Sequence, residues 1–439
     1  MAKKIFALML CLSMVLAFVA CTGNGATTAP VGTTKGSADG VKSNEKFTIT
    51  YFDFVTTGPL VERLNNSVKE KWYKMYPNST LEITNPPTDG LEILQTQLAS
   101  GTAADVFKHQ TRLAAFAKAG YMMDLSDQPW CDDVVAGCMP DCFYDGKFYA
   151  APADCNGWGV YYVKQIYEDK LKLTVPKNFQ EFVDNCQAIK DAGYNPLITG
   201  GADGWPFQGL FLTFTSFLYG ADPDFHKNLY NGTAKWTDES VHELFDAIEL
   251  LYDKGFFSDA TMSIDIATSR QYMGEGKAVI GFGCPGVLTP LEEPDSGFDI
   301  DLGYFYIPDW DGYNCVPVIA DVVWSINAKY EFGSTYGIDL LNCLIDPDTL
   351  HKAYDNVSPV GYKSISMNYN TLGGQMYQDA FDKGPVVLQC TSWLPSSIFD
   401  LYQQIVSSIL SGNGYTDEML ENMQKTYEAD RSNVNILLD

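Results

Sequence analysis

Residues 148–200 read FYAAPADCNGWGVYYVKQIYEDKLKLTVPKNFQEFVDNCQAIKDAGYNPLITG, and the fold turns on this stretch. An apolar run from Phe148 to Ala151 is stopped by Pro152. The polar and aromatic residues Asp154, Asn156, Gly157 and Trp158 follow, and a second apolar run occupies Val160 to Val163. That order predicts strand, exposed turn, strand. A short amphipathic helix is expected near Gln165 to Lys172, then a break at Pro176. A longer helix is expected from Phe179 to Ala192, because Phe182, Val183, Cys186 and Ile189 recur at helical spacing and Gly193 can cap the end.

These residues resemble the bacterial extracellular solute-binding proteins of ABC importers, especially the sugar-binding family 1. The resemblance lies in a Tyr-x-x-Pro crossing segment (Tyr149 to Pro152), a strand ending Tyr161-Tyr162-Val163-Lys164, and the helix start Pro176-Lys177-Asn178-Phe179-Gln180-Glu181-Phe182. It extends over nearly the whole mature chain. It implies a two-lobe α/β fold of the periplasmic-binding-protein type (type II), with the ligand held in a cleft between lobes joined by more than one crossover.

The N-terminus predicts an exported protein. Lys3 and Lys4 precede an apolar run, Ile5 to Val19, that is short for a membrane span and reads as a signal peptide over residues 1–20. The run ends Phe18-Val19-Ala20-Cys21, similar to a lipoprotein lipobox, which implies lipidation of Cys21; Phe18 departs from the usual Leu. Residues 21–44 are rich in Gly, Thr, Ser and Ala and are expected to be a flexible tether.

The 439 residues exceed what one hydrophobic core usually organises, so two lobes are the default. The expected division is an N-lobe over 45–151 plus about 316–354, and a C-lobe over 152–315 plus about 355–439. The 29 Lys and Arg against 55 Asp and Glu give a net charge of −26, and removal of the leader would leave 27 against 55, or −28. Such a field repels nucleic acid and anionic lipid surfaces, while neutral solutes and cations remain possible partners.

Along the chain, strands are expected at Lys46–Phe54, Ser79–Thr84, Ala104–Phe107, Pro196–Thr199, Ala278–Phe282, Leu302–Ile307 and within Val316–Ile326. Helices are expected between them, including Phe207–Tyr219 and Glu239–Lys254, and two helices close the chain at Ser396–Leu410 and Asp417–Ala429. Alternation of this kind argues for helix-covered parallel sheet, whose ligands collect at the carboxyl ends of the strands. His109 and Gln110, emerging after the third strand, are therefore candidate cleft residues.

The aromatic content, 13% of the chain, suggests a saccharide ligand, since sugar C–H faces stack on Trp and Tyr and hydroxyls need Asp, Asn or Gln. A few aromatic contacts of about 0.5–1.5 kcal/mol each, with polar pairs, can approach the roughly 8 kcal/mol of micromolar binding. The candidates are Trp158 with Asp154 and Asn156, then Trp205, Trp324 with Asp321, Trp393, and Phe52 and Phe54 at the end of the first strand. Core packing is the competing role for each ring.

Enzyme signatures are thin: no metalloprotease, serine-hydrolase, Walker or EF-hand motif is complete, and the four His are scattered. No catalytic residue, cofactor or metal is expected. Of the 11 Cys, Cys131, Cys138, Cys142 and Cys155 sit close in sequence, where a disulfide, a zinc site or plain thiols all remain open. The expected function is carbohydrate capture by a monomeric, lipid-anchored component of an ABC importer that delivers its ligand to permease subunits. The same fold holding a peptide or polyamine, and a secreted carbohydrate-active hydrolase, are the alternatives.

Overall fold

The alternating pattern resolves into two principal sheets and a small third one that joins them. The computed structural model describes residues 41–55, 58–86, 90–110, 112–292, 296–320, 322–388 and 393–433. The first sheet runs in the order Thr80–Thr84, Thr48–Phe52, Val106–His109, Val323–Ile326, Ala151–Pro152. Its first three strands are mutually parallel, and the late strand Val323–Ile326 enters antiparallel to both neighbours. The second sheet runs Leu302–Phe305, Gly159–Val163, Ala278–Gly283, Asn195–Ile198, and only its last pairing is parallel.

The third sheet explains how the other two are connected. Leaving the first sheet at Ala151–Pro152, the chain forms Asn156–Gly157 and then enters the second sheet at Gly159. It returns from Leu302–Phe305 through Val316–Ile319 to Val323–Ile326. The outward and return segments pair antiparallel, Val318 with Gly157 and Ile319 with Asn156, and Val386–Leu388 adds a parallel third strand. This pairing corrects the expected exposed turn: Asp154, Asn156 and Gly157 are buried because a second crossover lies along them.

Each principal sheet has its own core. Around the first, Trp72, Leu64, Phe107, Trp324 and Leu340 are buried; around the second, Phe179, Phe211, Phe245, Trp236 and Tyr402 are. The helix Ser396–Leu410, the first of the two that close the chain, locks into the second core, where Tyr402 stacks on Phe211 with centroids 4.3 Å apart. The helix after Pro176 forms over Phe179–Asp191 as expected. Asn178 caps it by accepting from Glu181 N at 2.9 Å, and Glu181 Oε2 reaches back to Lys177 N at 2.8 Å.

The expected long helix Phe207–Tyr219 is instead two, Pro206–Thr213 and Ser216–Ala221. Thr213 and Thr215 hydroxyls donate to the carbonyls of Leu210 and Leu212, at 2.8 and 2.9 Å, which offers the backbone an alternative to a continuous helix. The expected run Val316–Ile326 likewise divides between two sheets. The eight described cysteines, including Cys131, Cys138, Cys142 and Cys155, form no disulfide. No group of three or more metal-ligating side chains occurs among the described residues.

Candidate ligand-binding site

Strand register determines which residues meet at the carboxyl ends of the parallel strands. In the second sheet Gly283 pairs with Gly159, Ile198 with Gly281, and Phe305 with Val160. Trp158, Cys284, Tyr306 and the turn after Ile198 therefore gather at one sheet end. In the first sheet the corresponding end presents Asp53, Phe54, Asn85 and Gln110, with the start of the outward crossover alongside. The two crossovers connect these sheet ends directly.

At the second-sheet end the two tryptophans form a pair. The Trp158 and Trp205 rings lie edge to face, 5.9 Å between centroids at 74°. Trp158 is partly exposed and Trp205 is 39% exposed. The Trp158 ring lies so close over Gly209 that a Cβ there would fall 1.9 Å from its Cζ3, so glycine makes the seat of the ring. Gln208 Nε2 donates to Gln403 Oε1 at 3.0 Å, which brings the helix Ser396–Leu410 to the same turn. A cavity of about 430 Å³ opens there, lined by Gly201, Gly204, Phe207, Met262, Gln403 and Ser408 among others.

A second cavity, about 460 Å³, lies beside Lys42, Tyr76, Tyr336 and Asp339. Lys42, Tyr76 and Asp339 are already matched to one another. Lys42 pairs with Asp339 at 2.6 Å, and the Tyr76 hydroxyl donates to the same carboxylate.

Several of the residues that the sequence singles out occupy the interior. Trp324 is wholly buried, with Nε1 donating to the Tyr51 hydroxyl at 2.9 Å, and Trp393 is wholly buried in the second core. Phe52 is 2% exposed and packs in the first core, while Phe54 is half-buried against it. These placements correct the expectation that Trp324, Trp393 and Phe52 offer ring faces to a ligand; their side chains follow the alternation of a strand or pack beneath a helix. His109 is also buried, 2.9 Å from Ser325 Oγ through Nε2, and burial lowers its pKa to about 3. It is held neutral in the core.

Asp154 and Asn156 are buried and bonded to one another at 2.7 Å, and Asp154 also accepts from Val322 N at 3.2 Å. They fasten the outward crossover to the return one, while Asn156 Oδ1 has no partner among the described residues. Gln110 is half-buried at the first-sheet end and has an interaction partner there. Asp321 and Cys21 lie outside the described residues.

Three features carry little signal in the sequence. Asp53 and Lys108 form a fully buried ion pair at 3.4 Å, continued through the Tyr51 hydroxyl to Trp324. Tyr161, Tyr304 and Tyr377 pack ring against ring with their hydroxyls buried. Arg270, on the helix Ile266–Gly274, is half-buried, and its buried Nε has no acceptor among the described residues. Only the alternation Tyr304-Phe305-Tyr306 hints at a shared tyrosine face.

A family model for the bacterial extracellular solute-binding proteins matches residues 57–332. The chain belongs to this family. Among its relatives, an uncharacterized ABC transporter extracellular-binding protein of Pyrococcus horikoshii is 28% identical over 314 residues, 70% of this chain and 71% of the relative. The multiple sugar-binding protein of Streptococcus mutans is 23% identical over 335 residues, covering 74% and 78%. A solved chitin oligosaccharide binding protein superposes with a TM-score of 0.76 at 19% identity, over 88% of this chain and 99% of that one. The binding protein RafE in complex with raffinose gives 0.73 at 21% identity, again over 88% and 99%. These likenesses establish the two-lobe α/β fold of solute-binding proteins, and that family and fold are those of binding proteins. Among the described residues, no helix is long and apolar enough to cross a membrane.

Proposed function

We propose that this solute-binding protein captures a carbohydrate outside the cytoplasmic membrane and presents it to the permease of an ABC importer, without chemistry. The observation that carries this reading is the Trp158–Trp205 pair at the carboxyl end of the second sheet, with Trp205 39% exposed. Rings set edge to face at 74° offer a sugar one aromatic face and one aromatic edge. Gln403, and Gln110 on the opposite sheet end, supply amide groups for hydroxyls. The names of relatives and structural neighbours, a multiple sugar-binding protein and a raffinose complex, support the same ligand class.

The lobes in this reading are 45–151 with about 316–354, and 152–315 with about 355–439. Ligand contacts made by both lobes favour a closed arrangement that the permease recognises. The protein works as a monomer, tethered through a lipid on Cys21 after removal of residues 1–20. Mass spectrometry of the mature N-terminus tests the anchor: a lipid-modified Cys21 is expected, and a mature chain starting elsewhere would exclude it.

A thermal-shift screen against mono- and oligosaccharides, peptides and polyamines tests the ligand class, because a ligand that binds only the native state raises the midpoint by mass action. A saccharide is expected to raise it, and to do so far less in Trp158→Ala. A shift with peptides or polyamines alone would overturn the reading, as would release of shortened sugar during incubation.

A further inference from the structure

The arginines differ in what they hold. Arg63 Nη2 ends on the Ala353 carbonyl at 3.2 Å and Arg431 Nη1 on the Tyr230 carbonyl at 2.9 Å. Arg270 is different: its Nε is buried and without an acceptor among the described residues, and no carboxylate of a described residue comes into ion-pair contact with it.

Its position is fixed by the second sheet. The helix Ile266–Gly274 packs on Ala278–Gly283, and its start is pinned under the turn after Ile198. Asp203 Oδ2 accepts from Ile266 N at 2.9 Å, and Gly200 leaves no room for a side chain, since a Cβ there would fall 2.3 Å from Ile266 N. The side chain lies near the Cys284 thiol and close enough to the Asp265 and Asp203 carboxylates to feel their charge. Cys284 follows Gly283, the partner of Gly159, so it lies across from Trp158. Arg270 therefore sits at the sheet end that carries the tryptophan pair.

The nearby acids are engaged elsewhere. Asp265 accepts from Thr268 N at 2.7 Å as the helix cap, and Asp203 holds Ile266 N. Desolvation lowers the Arg270 pKa, against the raising influence of the Asp265 and Asp203 carboxylates. A pair of neutral hydroxyls would occupy its N–H groups and leave the charge uncompensated. A carboxylate would match the planar fork and the charge together.

Resting on the carbohydrate reading above, we propose that Arg270 is a specificity-determining ligand contact, and that the captured sugar is acidic, its carboxylate taken by the Arg270 guanidinium while its ring packs at Trp158 and Trp205. The field of a chain with net charge −26 opposes an anion at a distance, so preference for the acid must come from this local contact.

The test is isothermal titration of the whole mature protein with oligosaccharides of galacturonate, glucuronate and mannuronate, each beside its neutral counterpart of the same length. At least one acidic ligand is expected to bind about 10- to 100-fold more tightly than its neutral partner. Arg270→Gln should remove that preference, Arg270→Lys should keep part of it, and the neutral ligand should lose far less affinity than the acidic one. Circular dichroism melting of Arg270→Gln at or above the parent midpoint keeps the comparison free of a folding defect. Neutral sugars that bind equally well in parent and Arg270→Gln, with no acid preferred, would overturn this inference and leave sugar capture standing. Absence of binding by both classes would overturn sugar capture and this inference with it.

Discussion

Trp324 and Trp158 are the same residue type, each placed near the carboxyl end of a sheet, yet one is sealed and the other is not. Trp324 lies on a central strand of the first sheet, covered on its own face and fixed by the Tyr51 hydroxyl. Trp158 sits between two strands, where the crossover leaves one sheet for the other, and its ring rests on Gly209. What separates them is the neighbour, a hydrogen-bonded tyrosine in one case and a bare glycine backbone in the other. Trp205 and Trp393 repeat the contrast, 39% exposed at a turn against wholly buried. Aromatic content therefore supplies both a core and a candidate binding surface, and only packing distinguishes them.

The largest effects should fall on the sealed side. Trp324→Ala is expected to cost about 3–5 kcal/mol of stability, measured by denaturant unfolding, because it removes a large ring and the hydrogen bond that the Tyr51 hydroxyl accepts. Lys108→Met should cost a comparable amount, about 3–5 kcal/mol, by leaving the Asp53 carboxylate buried without its cation. A loss below about 1 kcal/mol in both would mean that this region is more hydrated than its packing indicates.

The exposed side should respond in binding before stability. Trp158→Ala is expected to weaken sugar affinity about 10- to 30-fold in calorimetric titration, with little change in the unfolding midpoint. Gly209→Ala should do both, because its methyl would meet the ring 1.9 Å from Cζ3. Displacing that ring should cost about 1–3 kcal/mol along with affinity. If Trp158→Ala destabilises as strongly as Trp324→Ala while affinity holds, the distinction between the two rings collapses.

A pH dependence is also expected on the sealed side. His109 has its pKa lowered from 6.5 to about 3 by burial, so the unfolded chain binds a proton that the folded one refuses. Its contribution is complete above pH 6.5 and is lost progressively as pH falls toward about 3. Stability of His109→Gln measured across that window should decline less steeply than that of the parent, and identical slopes would place the titration elsewhere.

Much of the fold is legible in the sequence because periodicity reports burial on one face. The helix Phe179–Asp191 and the strands Gly159–Val163 and Ala278–Gly283 lie within a residue or so of their expected bounds. The helix Leu372–Lys383 is not legible, since Gly373 and Gly374 in its first turn read as loop; Thr371 caps it by accepting from Gly374 N. The crossover residues Asp154 and Asn156 read as an exposed turn, because nothing local announces that residues 316–319 will pair alongside them from far later in the chain. The site is less legible than the fold. Trp158 and Trp205 stand out as aromatics among turn residues, but Arg270 carries no signal in sequence, because the lack of an acceptor for its buried Nε among the described residues appears only in the folded chain.

The central claim, a sugar held at the Trp158–Trp205 end of the second sheet, is tested most directly by a crystal structure of the protein with its best-binding oligosaccharide. The ring atoms of the sugar are expected within about 4 Å of both indoles. Density for the sugar beside Tyr76, Tyr336 and Asp339, with both tryptophans untouched, would contradict it.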